Sequence, residues 1–360
     1  MKHRFTALSL LAALAAVACM TGAVLAQDQD TMPARPMYGH VPPHPGTDSK
    51  APVTPLPTWN GSFNYQGSIY RYSMVGTAPS TGTTTTVPVF IIPVKLTYVT
   101  GTTSQSFSPF RKLSNGQTAI QNTIASPIFQ AGIDFTSGGT DLGNTQYIDA
   151  FQRGNFWGTV KSHTGYHLLL GTPYVMPTLS LTVPAADGSV ATEFGVHVGL
   201  ADINWFDTAI NAYMTAHPRI VPNSLPIFVT YNTYLTQGGC CIGGYHSATG
   251  SQAYAHFTYI NKVGAFSQNV SALSHEVGEW ADDPLFNGGN SVACGVLEVG
   301  DPEEGEPNYG DFAYTLGGFT YDLQDLVFLP YFGAPPSTSV NNSLTFHGNP
   351  FSLSVCSNGG

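Results

Sequence analysis

Apolar and polar side chains alternate with a helical period between residues 269 and 282, called the motif helix below. The apolar side of this helix is formed by Val270, Leu273, Val277 and Trp280. The opposite side is formed by His275, Glu276, Glu279 and Asp282. We therefore expect an amphipathic helix whose apolar side packs on a sheet.

Runs of β-branched and aromatic residues predict that most of the remaining regular structure is strand. Strands are predicted at residues 61–76, 83–99, 166–170, 178–183, 225–235 and 253–260. Further helices are predicted at residues 118–129, 145–156 and 203–216, and a loop at 236–250. This order predicts an α+β protein, with a β-rich N-terminal lobe over residues 58–185 and a second lobe over residues 186–360.

The first 26 residues have the layout of a secretory signal peptide. A short basic start precedes an apolar run, and small residues stand before Gln27. We expect cleavage there and a secreted or extracytoplasmic protein, with lipid attachment at Cys19 as the alternative. No later segment is apolar for long enough to span a bilayer, so we expect no membrane span after signal removal.

Residues 27–57 are rich in proline and polar side chains and show no hydrophobic period. They predict a disordered or extended leader, in which His40 and His44 are solvated. Whether this leader is an inhibitory pro-segment stays open, and it contains no cysteine that could bind a zinc ion.

The chain is acidic, with 12 Lys and Arg against 22 Asp and Glu and a net charge of −10. Removal of the signal peptide also removes Lys2 and Arg4, which makes the exported chain more acidic. Because such a surface repels polyanions, we expect no nucleic acid partner.

Of the five cysteines, all but Cys19 remain after the predicted export: Cys240, Cys241, Cys294 and Cys356. An even number in an exported protein predicts two disulfides. A bridge between adjacent cysteines would strain the backbone, so we expect Cys240 and Cys241 each to bond a distant partner. Either pairing connects the 236–250 loop to the segment after the motif helix and to the C-terminus.

The sequence His275-Glu276-Val277-Gly278-Glu279 differs by one residue from the H-E-x-x-H signature of zinc peptidases. His275 and Glu279 are four positions apart, so both side chains lie on one helix face and can bind one ion. Glu276 is turned about 100° from His275 and is placed to act as general base on a water molecule. The alternative is a helix with a solvated acidic face.

Four residues outside this motif are candidate further ligands: Glu298, Asp301, His246 and Asp283. Glu298 and Asp301 follow the helix, His246 lies in the 236–250 loop, and Asp283 adjoins the helix end. Zinc accepts carboxylate oxygens as well as histidine nitrogens, and carboxylates also admit manganese or calcium. The acidic segment from Asp301 to Glu306 predicts either a calcium site or a solvated loop.

The segments GGYHS, SHEVGEWADDP and EVGD together resemble exported bacterial proteins with an H-E-x-x-E-x-x-x-D-P signature, a variant of the zincin metallopeptidases. The resemblance implies a zincin-like C-terminal lobe, with zinc bound by His275 and Glu279 and completed by Glu298 as in gluzincins. It also implies Glu276 as general base in the hydrolysis of an extracellular protein or peptide substrate.

The cysteine-containing loop before Gly-x-His and the stretch DPLFNGG are similar to the plant EXORDIUM, or phosphate-induced, proteins of the cell wall. This second resemblance implies an extracellular or cell-wall binding protein without catalysis. The motif helix would then provide a structural metal site or a polar scaffold.

Overall fold

The computed structural model describes residues 37–39, 41–46, 54–286 and 297–348. All of them belong to one compact unit, Pro33–Gly360. Strands dominate the regular structure, and the predicted β-rich α+β class is confirmed.

The strands are β1 (Thr58–Tyr65), β2 (Ser68–Val75), β3 (Thr84–Val87), β4 (Val89–Thr100), β5 (Thr103–Phe107), β6 (Ile133–Ser137), β7 (Thr140–Thr145), β8 (His167–Leu170), β9 (Tyr174–Val175), β10 (Leu179–Val183), β11 (Gly188–Glu193), β12 (Val196–Asp202), β13 (Leu225–Tyr231), β14 (Thr233–Thr236), β15 (Cys240–Ile242), β16 (Gly244–Thr249), β17 (Gln252–Tyr259), β18 (Asp311–Leu316) and β19 (Phe319–Gln324). The α-helices are α1 (Ala119–Ile124), α2 (Tyr147–Asn155), α3 (Trp157–Val160), α4 (Ile203–Ala216) and α5 (Ser271–Asp282). Short 3₁₀ turns occupy Pro79–Thr81, Asp301–Glu303, Pro307–Gly310, Leu329–Phe332, Pro336–Thr338 and Val340–Asn342.

The largest sheet has the strand order β10-β4-β13-β17-β16, and β5 and β9 also pair with β4. Strands β4, β13 and β17 run parallel, and β16 is antiparallel to β17. Every residue of β13 and β17 is buried, as expected for central strands covered on both faces. Since β4 precedes residue 185 and β13 follows it, this sheet crosses the predicted lobe boundary.

Helices cover the two faces of this sheet. On one face, Leu273 and Val277 of α5 share an apolar cluster with Ile227 of β13. On the other face, Phe206 of α4 shares a cluster with Phe228, the next residue of β13. Successive strand residues point to opposite faces, so β13 contributes to both cores. The predicted packing of the motif helix on a sheet is confirmed.

The ends of α4 and α5 follow from local chemistry. The Asp202 side chain accepts bonds from two backbone N–H groups in the first turn of α4. Helix α5 ends at Asp282, because Pro284 disfavours helical backbone at Asp283. Within α5, a side chain at Gly278 would collide with Leu326, so the glycine permits close packing.

The predicted loop at 236–250 is wrong in part, because this segment contains β15 and β16. Along their outer edge runs part of the leader, residues 37–39 and 41–46, called the leader strand below. Met37 and Ile242 form a parallel bridge, as do His44 and Thr249. The leader is therefore extended here, and His44, predicted to be solvated, contacts the buried Asp207 carboxylate. His40 lies outside the described residues.

The expected distant pairing of Cys240 and Cys241 is wrong, because the two residues form a disulfide with each other. The peptide bond between them is cis, and their Cα atoms are 3.1 Å apart. Cys294 and Cys356 lie outside the described residues.

Within the described ranges, every helix is too short or too polar to cross a membrane.

Candidate metal centre

The polar side of α5 is buried. His275, Glu276 and Glu279 are 0%, 1% and 3% exposed, so the interpretation of a solvated acidic face is wrong for these residues. Strands β16, β17 and β19 pack against the helix and cover it. Because buried charges are costly unless they are paired, this arrangement needs a compensating partner.

Two groups of candidate ligands share Glu279. One consists of His275, Glu276 and Glu279, and the other of His246, Glu279 and Glu298; within each group the ligand atoms lie within 4.8 Å of one another. Ligand atoms about 2.0–2.2 Å from a zinc ion lie about 3–4 Å apart, so either group has suitable dimensions. The His275 Nε2 to Glu279 Oε2 distance is 3.0 Å, and the His246 Nδ1 to Glu279 Oε2 distance is 3.8 Å.

In both histidines, the ring nitrogen that faces away from the cluster donates a hydrogen bond. His275 Nδ1 donates to Gln324 Oε1 at 2.6 Å, which leaves Nε2 directed at Glu279. His246 Nε2 donates to the Asp283 backbone carbonyl at 3.2 Å, and Nδ1 faces Glu276 at 3.6 Å. These partners fix the tautomer and direct the other nitrogen into the cluster, as in protein metal sites.

The carboxylates of the cluster retain acceptor capacity. Glu279 Oε1 accepts the Gly300 backbone N–H at 3.0 Å. Within the described part of the chain, Glu276 Oε1 and Glu298 Oε1 are buried and have no hydrogen-bond partner. Such oxygens are uncommon in folded proteins, and here each belongs to a residue of one of the two ligand groups.

Burial and mutual repulsion set the electrostatics of the cluster. Burial raises the pKa of Glu276, Glu279 and Glu298 well above the ordinary range, and neighbouring carboxylates raise each pKa further. Burial lowers the pKa of His275, but the Asp301 carboxylate beside its ring and other nearby acidic charges outweigh it, and the pKa is about 9. The site therefore favours positive charge.

Of the four candidate further ligands, the structure places three side chains next to His275 or Glu279. Glu298 and His246 join the cluster through Glu279, and Asp301 Oδ1 lies 3.4 Å from His275 Nε2. Asp283 contributes its backbone oxygen to His246, while burial raises the pKa of its carboxyl to about 7. In the acidic segment, Glu304 accepts the Tyr38 backbone N–H at 2.6 Å, and calcium binding there stays a prediction.

Several residues of the site were not predicted from the sequence. Gln324, far along the chain on β19, orients His275, and Tyr38 of the leader strand stacks on the His275 ring with centroids 3.5 Å apart. Two glycines allow close approach: a Cβ at Gly244 would lie 2.6 Å from Glu276 Oε1, and one at Gly300 would collide with His275. The sequence signal for this crowding was a glycine two residues from each of two candidate ligands, His246 and Glu298.

We expect Gln324→Leu to weaken zinc binding about 10–100-fold, because an outer-shell partner that orients a ligating histidine contributes about this much. Titration with a competing zinc indicator measures the affinity. Gln252→Leu is the matched control, since Gln252 is also buried but bonds to Ser224 and Ala253. Equal affinities of the two variants would contradict an orienting role for Gln324.

A third group, Glu193 with Cys240 and Cys241, has ligand-like spacing, but its sulfur atoms are joined in the disulfide and offer no thiolate. No protein-family model, curated protein or solved structure matches the chain. The structure thus supports a buried His/Glu cluster able to bind a metal ion in a β-rich α+β fold, and the two family resemblances stay predictions.

Proposed function

We propose that the protein is an exported metal-dependent endopeptidase that hydrolyses extracellular proteins or peptides. The proposal depends on one observation: Glu279 belongs to two buried ligand groups, which together offer two imidazoles and three carboxylates. Zinc suits this mixture of nitrogen and oxygen donors. His275, Glu279 and Glu298 are the proposed ligands, with His246 as a candidate fourth; the structure groups Glu298 with Glu279 and His246, so His275 and Glu298 meet only through the shared Glu279.

The chemistry requires a base beside the ion. A zinc ion bound here would supply a Lewis acid that polarises a peptide carbonyl and lowers the pKa of water. Glu276 accepts the proton of the attacking water as the new C–O bond forms. It then passes this proton to the departing amine as the C–N bond breaks.

A non-catalytic extracellular or cell-wall binding protein with a structural metal is the second candidate. The burial of His246, His275, Glu279 and Glu298, each at most 5% exposed, favours it, because structural zinc sites are closed. The two functions differ in ligand number. Three protein ligands leave a position for water, whereas four complete a tetrahedral shell.

Hydrolysis of an unfolded protein tests the proposal. We expect the Tyr38→Ala variant described below, loaded with one equivalent of zinc, to cleave denatured casein faster than the wild type, with activity lost on treatment with EDTA and restored by zinc. Mass spectrometry of the products identifies the cleaved bonds. Stoichiometric zinc without cleavage, in the protein and in the Tyr38→Ala variant described below, would favour the structural metal protein instead.

A further inference from the structure

The leader strand adds a parallel strand to the outer edge of β15 and β16. The two bridges, Met37 with Ile242 and His44 with Thr249, are separated by seven residues on each side, so the two ends pair in the same register, while the Gly39 bond to Gly244 is displaced by one residue. The backbone bonds are Met37 N to Cys241 O (3.1 Å), Gly243 N to Met37 O (3.0 Å), Gly39 N to Gly244 O (2.8 Å), His44 N to Ala248 O (2.8 Å) and Gly250 N to His44 O (3.0 Å).

Side chains fasten the leader strand at both ends and in the middle. Tyr38 is buried, with its ring stacked on His275 and tilted against Phe266. Ser247 donates its hydroxyl to the Val41 carbonyl at 2.7 Å. At the other end, His44 contacts Asp207, which also accepts hydroxyl bonds from two buried tyrosines.

This edge leads directly to the candidate metal centre. His246 lies on β16, and the Gly244 position of the same strand abuts Glu276. An exposed sheet edge binds an extended peptide through backbone hydrogen bonds, with side-chain pockets providing selectivity. A peptide that reached Glu276 along β16 would need the backbone groups that the leader strand now uses.

We propose that the β15–β16 edge is a binding surface for an extended peptide, and that the leader strand occupies it and covers the metal centre in this form of the protein. This inference rests on the proposed function for the identity of the incoming peptide as substrate. Release of the leader strand frees the edge and uncovers His275. The occupant is residues 37–39 and 41–46 of the chain itself, held by main-chain pairing rather than by a ligand to the metal.

Two substitutions loosen the leader strand without replacing a ligand residue. A Cβ at Gly46 would lie 2.6 Å from the Gly250 backbone nitrogen, so Gly46→Ala forces the strands apart. Tyr38→Ala removes the ring that lies on His275. Gly239→Ala is the matched control for the glycine substitution, because a Cβ there meets no atom within 4 Å.

Two measurements test separately whether the leader strand pairs with the sheet edge and whether it restricts access to the metal centre. Amide hydrogen exchange at Gly39, His44 and Gly250 reports the strand pairing, and the rate of zinc removal by excess EDTA reports access to the centre. We expect Gly46→Ala to lose amide protection, and both variants to release zinc at least about tenfold faster than the wild type. Gly239→Ala should match the wild type in both readouts.

Unprotected amides in the wild type would overturn the docking. An unchanged rate of zinc release in Tyr38→Ala would contradict the proposal that the leader strand covers the metal centre, whether or not Gly46→Ala separates the strands. If no form of the protein binds zinc, the proposed function and the cover both fail, while amide exchange still reports whether the edge is occupied.

Discussion

Replacing Glu279 with alanine is expected to lower zinc affinity at least about a hundredfold, which is the largest effect of any single substitution in the cluster. Glu279 is the residue common to both ligand groups, and its Oε2 atom faces both imidazoles. Loss of an outer-shell partner already costs about 10–100-fold, and loss of a direct ligand costs more. Competitive titration with a zinc indicator measures the change.

Glu303→Ala is the matched control for this substitution. Glu303 is also a fully buried glutamate, and burial raises its pKa to about 9, but it belongs to neither ligand group. Glu279→Gln adds a size-matched variant that separates ligand loss from cavity formation. Wild-type affinity in both Glu279 variants would remove Glu279 from the ligand set.

Glu276→Gln is expected to reduce peptide hydrolysis about 10²–10⁴-fold while zinc binding is retained. The amide preserves the size of the side chain but cannot accept a proton from water at neutral pH. The measurement pairs kcat/KM for a fluorogenic peptide with zinc content of the same preparation. Glu303→Gln is the control and should leave both quantities unchanged.

Zinc content decides between two roles for Glu276. One of its oxygen atoms lies within 4.8 Å of the ligand atoms of His275 and Glu279, so a direct ligand role is geometrically open. Loss of zinc together with activity in Glu276→Gln would make Glu276 a ligand rather than a base. Full activity with full zinc would contradict both roles.

The sequence predicted the helix and its two faces because both depend on local periodicity. Helix α5 lies within the predicted range, and its apolar side chains pack on the sheet. What the periodicity could not predict is the burial of the polar face. That burial comes from β16 and β19, which lie before and after α5 in the chain and depend on long-range pairing.

The candidate ligands likewise divide into those that local sequence spacing predicts and those that only the fold brings together. The four-residue spacing on one helix predicts His275 and Glu279 as a pair. His246 was also predicted to lie near the helix, but in a loop held there by disulfides. The expected distant disulfides do not hold it there. Pairing of β16 with β17 and the bond from His246 to the Asp283 carbonyl bring it to Glu279. Gln324 carries no local signal, since only the fold brings it to His275.

The leader was hardest to predict because its composition is that of a disordered segment. Proline and polar residues give it no hydrophobic period, yet Met37, Gly39 and His44 find backbone partners on an open sheet edge. Such pairing depends on main-chain groups that every sequence carries. The apolar content of a segment is therefore a poor guide to whether an edge will accept it.

Anomalous diffraction at the zinc absorption edge, from crystals of the zinc-reconstituted protein, locates a bound metal ion directly. We expect one peak per chain, about 2.0–2.2 Å from His275 Nε2, a Glu279 oxygen and a Glu298 oxygen. A peak with Glu276 in place of Glu298 would reassign the base, and two peaks would contradict a single-ion site. Absence of any peak between these side chains would contradict the metal centre itself.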